Sequence, residues 1–323
     1  MLTLSPNPRD GVPDQPRPLR PSSKSSPAIP TDERLDRIFL FILFGVALAA
    51  NFYLVTRNWH SGFLLGHEFR QTQTAIIAQY IDQQNNFSVH YETPILGKPW
   101  EFPLEFPLYQ WCVVWVSRLA NVPRYEAARA VGVASLYLTL PAVYLLLGQA
   151  GMARTRRLIT LALLLATPVY IFYSRSFLMD VTAMMFSAWF LAAFIQTMRT
   201  RDLGWLAVCA LAGTAAALIK SLTFFVWLLP AALYGAWCLW TVLRSRQGWR
   251  PTLAVIGWGF ASVIIPAGAV YWWVHFTDAI KEVHASAYIF TSKNLTHGNL
   301  GMYELSSRFS KDALRALLGC WSI

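Results

Sequence analysis

Charged residues are scarce in this chain of 323 residues, and acidic residues are the scarcer kind. Asp, Glu, Lys and Arg together make up 14% of the sequence, whereas hydrophobic residues make up 55%. A composition this apolar excludes an ordinary soluble domain, and several of the uncharged runs are long enough to cross a bilayer. The sequence therefore predicts an all-α polytopic membrane protein.

The few charges are unevenly balanced. Lys and Arg number 27 against 17 Asp and Glu, which gives a formal net charge of +10. The basic residues lie mainly in short connections between apolar runs, which is the pattern of cytoplasmic loops in membrane proteins. Because they do not line one soluble face, we reject nucleic acid as a partner and expect membrane lipids instead.

Closely spaced metal ligands are lacking as well. The four cysteines show no C-x-x-C spacing and lie in or beside apolar segments, as small buried hydrophobic residues do. His275, His284 and His297 are nine and thirteen residues apart, so they predict no metal site. A divalent cation held by the carboxylates of Glu68 and Asp180 stays open.

The chain divides into a tail and a membrane domain. The first thirty residues contain eight of the 18 prolines, so we expect residues 1–33 to be a disordered cytoplasmic tail. Residues 34–323 form the predicted transmembrane domain, with outer loops at about 56–126 and 275–311. A last apolar stretch begins near Ala313 and stops at Ile323, too short to cross, which suggests truncation at the C-terminus.

Seven spans satisfy both hydropathy and the distribution of arginines. They are predicted at 38–55, 127–147, 158–173, 181–198, 203–219, 222–243 and 253–274. The apolar stretch 104–120 contains Glu105, Pro107 and Arg118 and falls short of the roughly 20 residues that a span needs. We therefore expect it to lie at the membrane interface. With this assignment the later arginine clusters fall on the cytoplasmic side.

The first outer loop contains the segment 66–81, whose spacing predicts an amphipathic helix on the membrane surface. One side would carry Glu68, Gln71, Thr72 and Ala75, and the other Phe69, Ile76, Ile77 and Tyr80. Two interpretations of Glu68 stay open. The carboxylate could offset the partial positive charge of the helix N-terminus, worth roughly 0.3 to 1 kcal/mol, or it could act as a general base.

A second group of charges falls at the outer ends of later spans. Asp180 begins an apolar helix, where a carboxylate is either an N-cap or part of a functional site. Arg175 is either an interfacial anchor or a contact to a lipid phosphate. Lys220 interrupts an apolar stretch, where it either snorkels to the interface or binds the same phosphate.

The order of these motifs resembles the GT-C superfamily of membrane glycosyltransferases, especially protein O-mannosyltransferases and aminoarabinose transferases. The resemblance covers roughly residues 34–274. It rests on a first-loop acidic motif, a proline-aromatic segment, a basic inner loop, a Ser-Arg followed by Asp, and a later lysine. In this sequence these parts are His67, Glu68, Phe69 and Arg70; Phe106 to Tyr109; Ser174, Arg175 and Asp180; and Lys220.

The resemblance implies a GT-C-like helix bundle with a large first outer loop that carries interfacial helices. It also implies an inverting transferase of the bacterial inner membrane that uses a polyprenyl-phosphate-linked sugar, with its active site facing the periplasm. The acceptor would be a lipid, a glycan or a protein. Glu68 and Asp180 would be catalytic, and His67, Arg70, Arg175 and Lys220 would bind substrate.

This sequence departs from the superfamily's pattern in two ways. The usual adjacent acidic pair is His67 and Glu68 here, and we expect neither the further spans nor the outer domain that many members have. Two other classes therefore stay open. A transporter or flippase for a lipid-linked or anionic solute would use the same charges along a path, and a scaffold would leave Glu68 and Asp180 apart.

Overall fold

The computed structural model describes residues 33–62, 66–95, 97–245, 248–284 and 286–296. Within these ranges the chain is almost entirely helical, with one isolated bridge between Glu92 and Glu101 and no sheet, which confirms the all-α prediction. The helices are α1 Glu33–Thr56, α2 Glu68–Gln84, α3 Leu108–Ala120, α4 Arg124–Gln149, α5 Arg154–Ala166, α6 Pro168–Arg175, α7 Asp180–Thr200, α8 Leu203–Ile219, α9 Ser221–Arg244, α10 Trp249–Glu282 and α11 Ser292–Thr296. A short 3₁₀ helix, Tyr288–Phe290, precedes α11.

Five of these helices, α1, α4, α7, α9 and α10, are long and apolar enough to cross a membrane. The pair α5 and α6 counts as a sixth if the two are one bent span. Helix α8 has 17 residues and is about 26 Å long, slightly less than a hydrocarbon core of about 30 Å. The polytopic prediction is thus confirmed, and α3, with 13 residues, is not among the spans.

The predicted span 158–173 is not one straight helix. The axis turns by 58° between α5 and α6. Pro168 is the first residue of α6, and Thr167 before it has extended backbone (φ −70°, ψ 115°). Proline disfavours the helical conformation in the residue that precedes it, and here the helix breaks at Thr167.

Helix α10 continues past the predicted end of the last span. Its 34 residues extend about 51 Å, more than the hydrocarbon thickness, so one end emerges from the bilayer. The segment 275–282, expected to be loop, is therefore helical. Trp273, Thr277 and Lys281 recur on one buried face, and Trp273 packs edge-on against Phe106 with ring centroids 5.2 Å apart. Packing against the first loop thus prolongs the helix.

Helix α2 does not have the predicted amphipathic face. Gln71 and Thr74 are buried together with Ile77, whereas Phe69 is 68% exposed. The burial of Gln71 is offset by hydrogen bonds: its Nε2 donates to the Gly66 carbonyl (2.7 Å), and its Oε1 accepts from the Phe177 N–H (3.3 Å). Because the buried Gln71 has hydrogen-bond partners, the buried side of α2 is not the one that hydropathy alone predicts.

The bundle has two chemically different ends. Helix α8 runs back along α7, because Lys220 at its end reaches Asp180 at the start of α7. We call this the loop end. The opposite end, which we call the basic end, contains Arg154 and Arg199, and the Arg199 Nη2 donates to the Gln149 carbonyl (2.7 Å). The predicted tail, apart from Glu33, and the stretch from Ala313 lie outside the described residues.

Candidate active site

An ion pair joins two of the predicted site residues at the loop end. Asp180 is the first residue of α7, and Lys220 is the single extended residue between α8 and α9 (φ −156°, ψ 90°). The Lys220 Nζ donates to the Asp180 Oδ1 over 2.5 Å, and the side chains are 27% and 30% exposed. The break in the helix at Lys220 lets its side chain leave the bundle axis and meet the carboxylate.

A cavity of about 460 Å³ lies against Asp180. It follows the bend between α5 and α6, and Asp180 is the charged residue in its wall. The other lining residues are Leu164, Thr167, Val169, Tyr170, Tyr173, Val181, Met184 and Thr223. Most of this surface is apolar, so the cavity suits an extended hydrocarbon chain with a polar group at the Asp180 side.

His67 connects the first loop to this cavity. Its Nε2 lies 3.0 Å from the hydroxyl of Tyr173, which lines the cavity, and the two rings are 5.6 Å apart. His67 has left-handed backbone (φ 57°), and the preceding Gly66 has φ 93°. This turn places the imidazole over α6 immediately before α2 begins. His67 is therefore brought close to the Asp180 cavity, and its role as a substrate contact stays a prediction.

Glu68 has a local partner of its own. Its Oε1 accepts a hydrogen bond from the Gly66 N–H (2.7 Å), and the residue is exposed. This hydrogen bond and then one from its own N–H lower the pKa of Glu68, burial opposes them, and the nearby imidazole of His67 adds a weaker lowering. The contacts match the interpretation in which Glu68 stabilises the helix start, and a lowered pKa makes a weaker general base.

Arg70 stabilises the first loop through side-chain hydrogen bonds. Its Nη2 donates to the Glu105 carboxylate (2.7 Å) and its Nη1 to Gln73 (2.9 Å). The Glu105 carbonyl in turn accepts from the hydroxyl of the buried Tyr91 (2.6 Å). Arg70 therefore holds the proline-aromatic segment against α2, and it is not among the residues that line the cavity.

Arg175 faces away from the cavity. It lies two residues after Tyr173 on α6, and positions two apart on a helix point about 200° apart. The Arg175 Nη2 donates to the carbonyl of Arg57 instead. The structure therefore separates Arg175 from Lys220, the residue with which the resemblance grouped it.

Arg129 is the residue that the sequence analysis missed. It is 2% exposed and lies in α4. Its guanidinium donates to the carbonyls of Asn58, Trp59 and Gly62, to the Ser61 hydroxyl and to the Arg175 carbonyl. The signal was visible, because Arg129 is a charge inside the predicted span 127–147, where ionisable residues are rare and functional.

Two further findings concern metal ligands and Tyr109. Among the residues that the structure describes, no group of three or more His, Cys, Asp or Glu could hold a metal ion, and Glu68 and Asp180 have separate partners. Tyr109 is fully buried, which raises its pKa, and the nearby Asp180 charge raises it further. It is therefore a core residue.

The fold defines a polytopic α-helical membrane protein with an organised polar cluster at one end of its bundle. No protein-family model matches the chain, and no curated protein sequence matches it. The contacts among Asp180, Lys220, Tyr173 and His67 are therefore the basis on which a function is proposed.

Proposed function

We propose that this protein is a membrane glycosyltransferase that moves a hexosyl or pentosyl group from a polyprenyl-phosphate donor. The acceptor is a lipid, glycan or protein on the non-cytoplasmic face of the bacterial inner membrane. The observation that carries this proposal is that Asp180, a residue in the wall of an apolar cavity at the loop end, forms an ion pair with Lys220. The order of motifs that resembles the GT-C superfamily supports the same activity.

The cavity suits the donor's two chemically different parts. Its apolar lining, including Leu164, Val169 and Met184, would surround the first isoprene units. The phosphate would then lie near Lys220, whose ammonium group already binds one oxygen of Asp180. If the donor's phosphate bound this ammonium group, Asp180 would lose its cationic partner. Its carboxylate would then lie beside the sugar.

The chemistry that follows is a direct displacement with inversion. The acceptor oxygen attacks the anomeric carbon, the bond from that carbon to the phosphate oxygen breaks, and the phosphate leaves with the electron pair. Lys220 stabilises the charge that develops on the phosphate. The acceptor's proton passes to a carboxylate, and Asp180 is better placed for this than Glu68, whose carboxylate is held by Gly66.

Replacing the two carboxylates separately tests the proposal. In membranes supplied with a labelled polyprenyl-phosphate sugar, we expect Asp180→Asn to lower turnover by about 10² to 10⁴. We expect Glu68→Gln to have a smaller effect and Lys220→Gln to raise the KM for the donor. The matched control is Asp202→Asn at the basic end, because Asp202 caps α8 by accepting from the Trp205 N–H (3.0 Å). Undiminished turnover in Asp180→Asn would refute the proposal.

The same preparation separates the enzyme from a transporter. A flippase would move labelled lipid across reconstituted vesicles without forming a new glycosidic bond. In the described spans Asp, Glu, Lys and Arg lie near helix ends, with Arg129 among the deepest of them, whereas a transport path is marked by ionisable groups near the midplane. This distribution favours the transferase.

A further inference from the structure

Two guanidinium groups share one backbone turn at the loop end, away from the Asp180 cavity. Arg175 binds the carbonyl of Arg57, while Arg129 binds those of Asn58 and Trp59. Because these carbonyls belong to three consecutive residues, the two guanidinium groups lie close together. We call the side chains of Arg57, Arg129 and Arg175 the arginine cluster.

The cluster carries more positive than negative charge. None of its members makes an ion pair in the part of the chain that the structure describes. The nearby acid on α4 is Glu126, and its carboxylate lies 2.9 Å from His60 Nδ1. Neutral carbonyls satisfy the N–H groups of Arg129, the charge of Glu126 offsets only part of the positive charge of the three arginines, and partly buried like charges repel each other.

Arg175 also has an unsatisfied hydrogen-bond donor. Its Nε is buried and has no hydrogen-bond partner among the described residues. A buried N–H group without a partner is costly, and that cost disappears when an acceptor occupies the site. The unsatisfied donor and the excess positive charge both favour the same kind of ligand, an anion with several oxygen atoms.

The position of the cluster identifies the source of this anion. Arg57 directly follows α1, whose last turns expose Phe52 and Tyr53. Apolar side chains exposed along spanning helices face lipid, so the cluster lies at the depth of the headgroups and is open from the side.

We propose that Arg57 and Arg175, positioned by the turn that Arg129 holds, bind the phosphate group of a membrane lipid beside α1. The planar guanidinium fork matches a phosphate, and two such groups can grip it from different sides. The site lies on the opposite side of α6 from Tyr173 and the cavity. It does not depend on the proposed transfer reaction, and a catalytically inactive Asp180→Asn protein would retain it.

Binding is measured on the full-length protein in detergent by native mass spectrometry. The probes are phosphatidylglycerol, diacylglycerol without a phosphate, and inorganic phosphate. Arg57→Gln is the principal variant, because the fold uses the carbonyl of Arg57 and no described hydrogen bond uses its side chain. Arg175→Gln is the second variant, and Arg156→Gln, exposed at the basic end, is the matched control.

We expect phosphatidylglycerol to bind, diacylglycerol not to bind, and each cluster variant to bind about fivefold more weakly than the control. Equal binding in Arg57→Gln, Arg175→Gln and Arg156→Gln would overturn the site. Binding of inorganic phosphate that is as tight as that of phosphatidylglycerol would overturn the lipid as its ligand. Retained binding in Asp180→Asn with lost transfer would show that the two sites are independent.

Discussion

The two ends of the helix bundle use charge differently. All six ion-pair contacts in the described part of the chain lie at the loop end. They are Arg70–Glu105, Arg118–Asp82, Arg124–Asp82, Lys220–Asp180, His60–Glu126 and His90–Glu101. These pairs fix the first loop onto the bundle and leave one carboxylate beside a cavity.

The basic end has arginines but few acids to pair with them. Arg157 donates to the Met152 carbonyl (2.6 Å) and lies 5.2 Å from the Tyr144 ring, while Arg199 donates to Gln149. Arginine near a helix C-terminus satisfies its carbonyls at small energetic gain. The charges of the loop end therefore build structure through ion pairs, whereas the arginines of the basic end contact carbonyls and aromatic rings.

Removing one arginine should give the largest difference in stability between the two ends. Arg129→Gln leaves several carbonyls of the turn at 58–62 without a donor, so we expect it to lower the free energy of unfolding by about 3 kcal/mol or more. Arg199→Gln, at an exposed position, should cost less than about 1 kcal/mol. Thermal unfolding in one detergent compares them, and equal losses would remove the distinction between the ends.

A single added methyl group tests how tightly each end is packed. A Cβ on Gly132 would lie 2.3 Å from the backbone carbonyl oxygen of Ser174, whereas one on Gly148 would lie 2.6 Å from the flexible tip of Arg157. We expect Gly132→Ala to destabilise the protein by about 1 to 3 kcal/mol and Gly148→Ala to change it by less than about 0.5 kcal/mol. Unfolding of the two variants side by side measures this, and a neutral Gly132→Ala would contradict the close approach of α4 and α6.

Much of the fold could be predicted, because span positions depend on composition. Long uncharged runs predicted α1, α4, α7 and α9 closely, and the charge distribution placed Asp180 and Lys220 at the same end. That topology made their contact possible to foresee. Bilayer orientation and the roles of these residues stay predictions.

What could not be predicted depends on rotation about helix axes and on local backbone. Whether Tyr173 or Arg175 faces the cavity depends on the rotation of α6 about its axis, and a shift of one residue would turn both side chains by about 100°. Gln71 is buried because a distant N–H, that of Phe177, meets its oxygen. Neither contact has a signal in the residues nearby in the sequence.

The smallest expected effect concerns Glu68 and depends on pH. The hydrogen bond from the Gly66 N–H lowers the pKa of Glu68. The Glu68 carboxyl group therefore binds fewer protons in the folded state than in the unfolded state. Its stabilisation is therefore present above the ordinary value of 4.5 and is lost as the pH falls through the lowered pKa. Glu68→Gln should melt slightly below wild type at neutral pH and together with it in acid, with Glu92→Gln in the same loop as the baseline. A gap in melting temperature that persists unchanged into acid would show that the helix start does not select the charged form, and Glu68 would then return to consideration as a base.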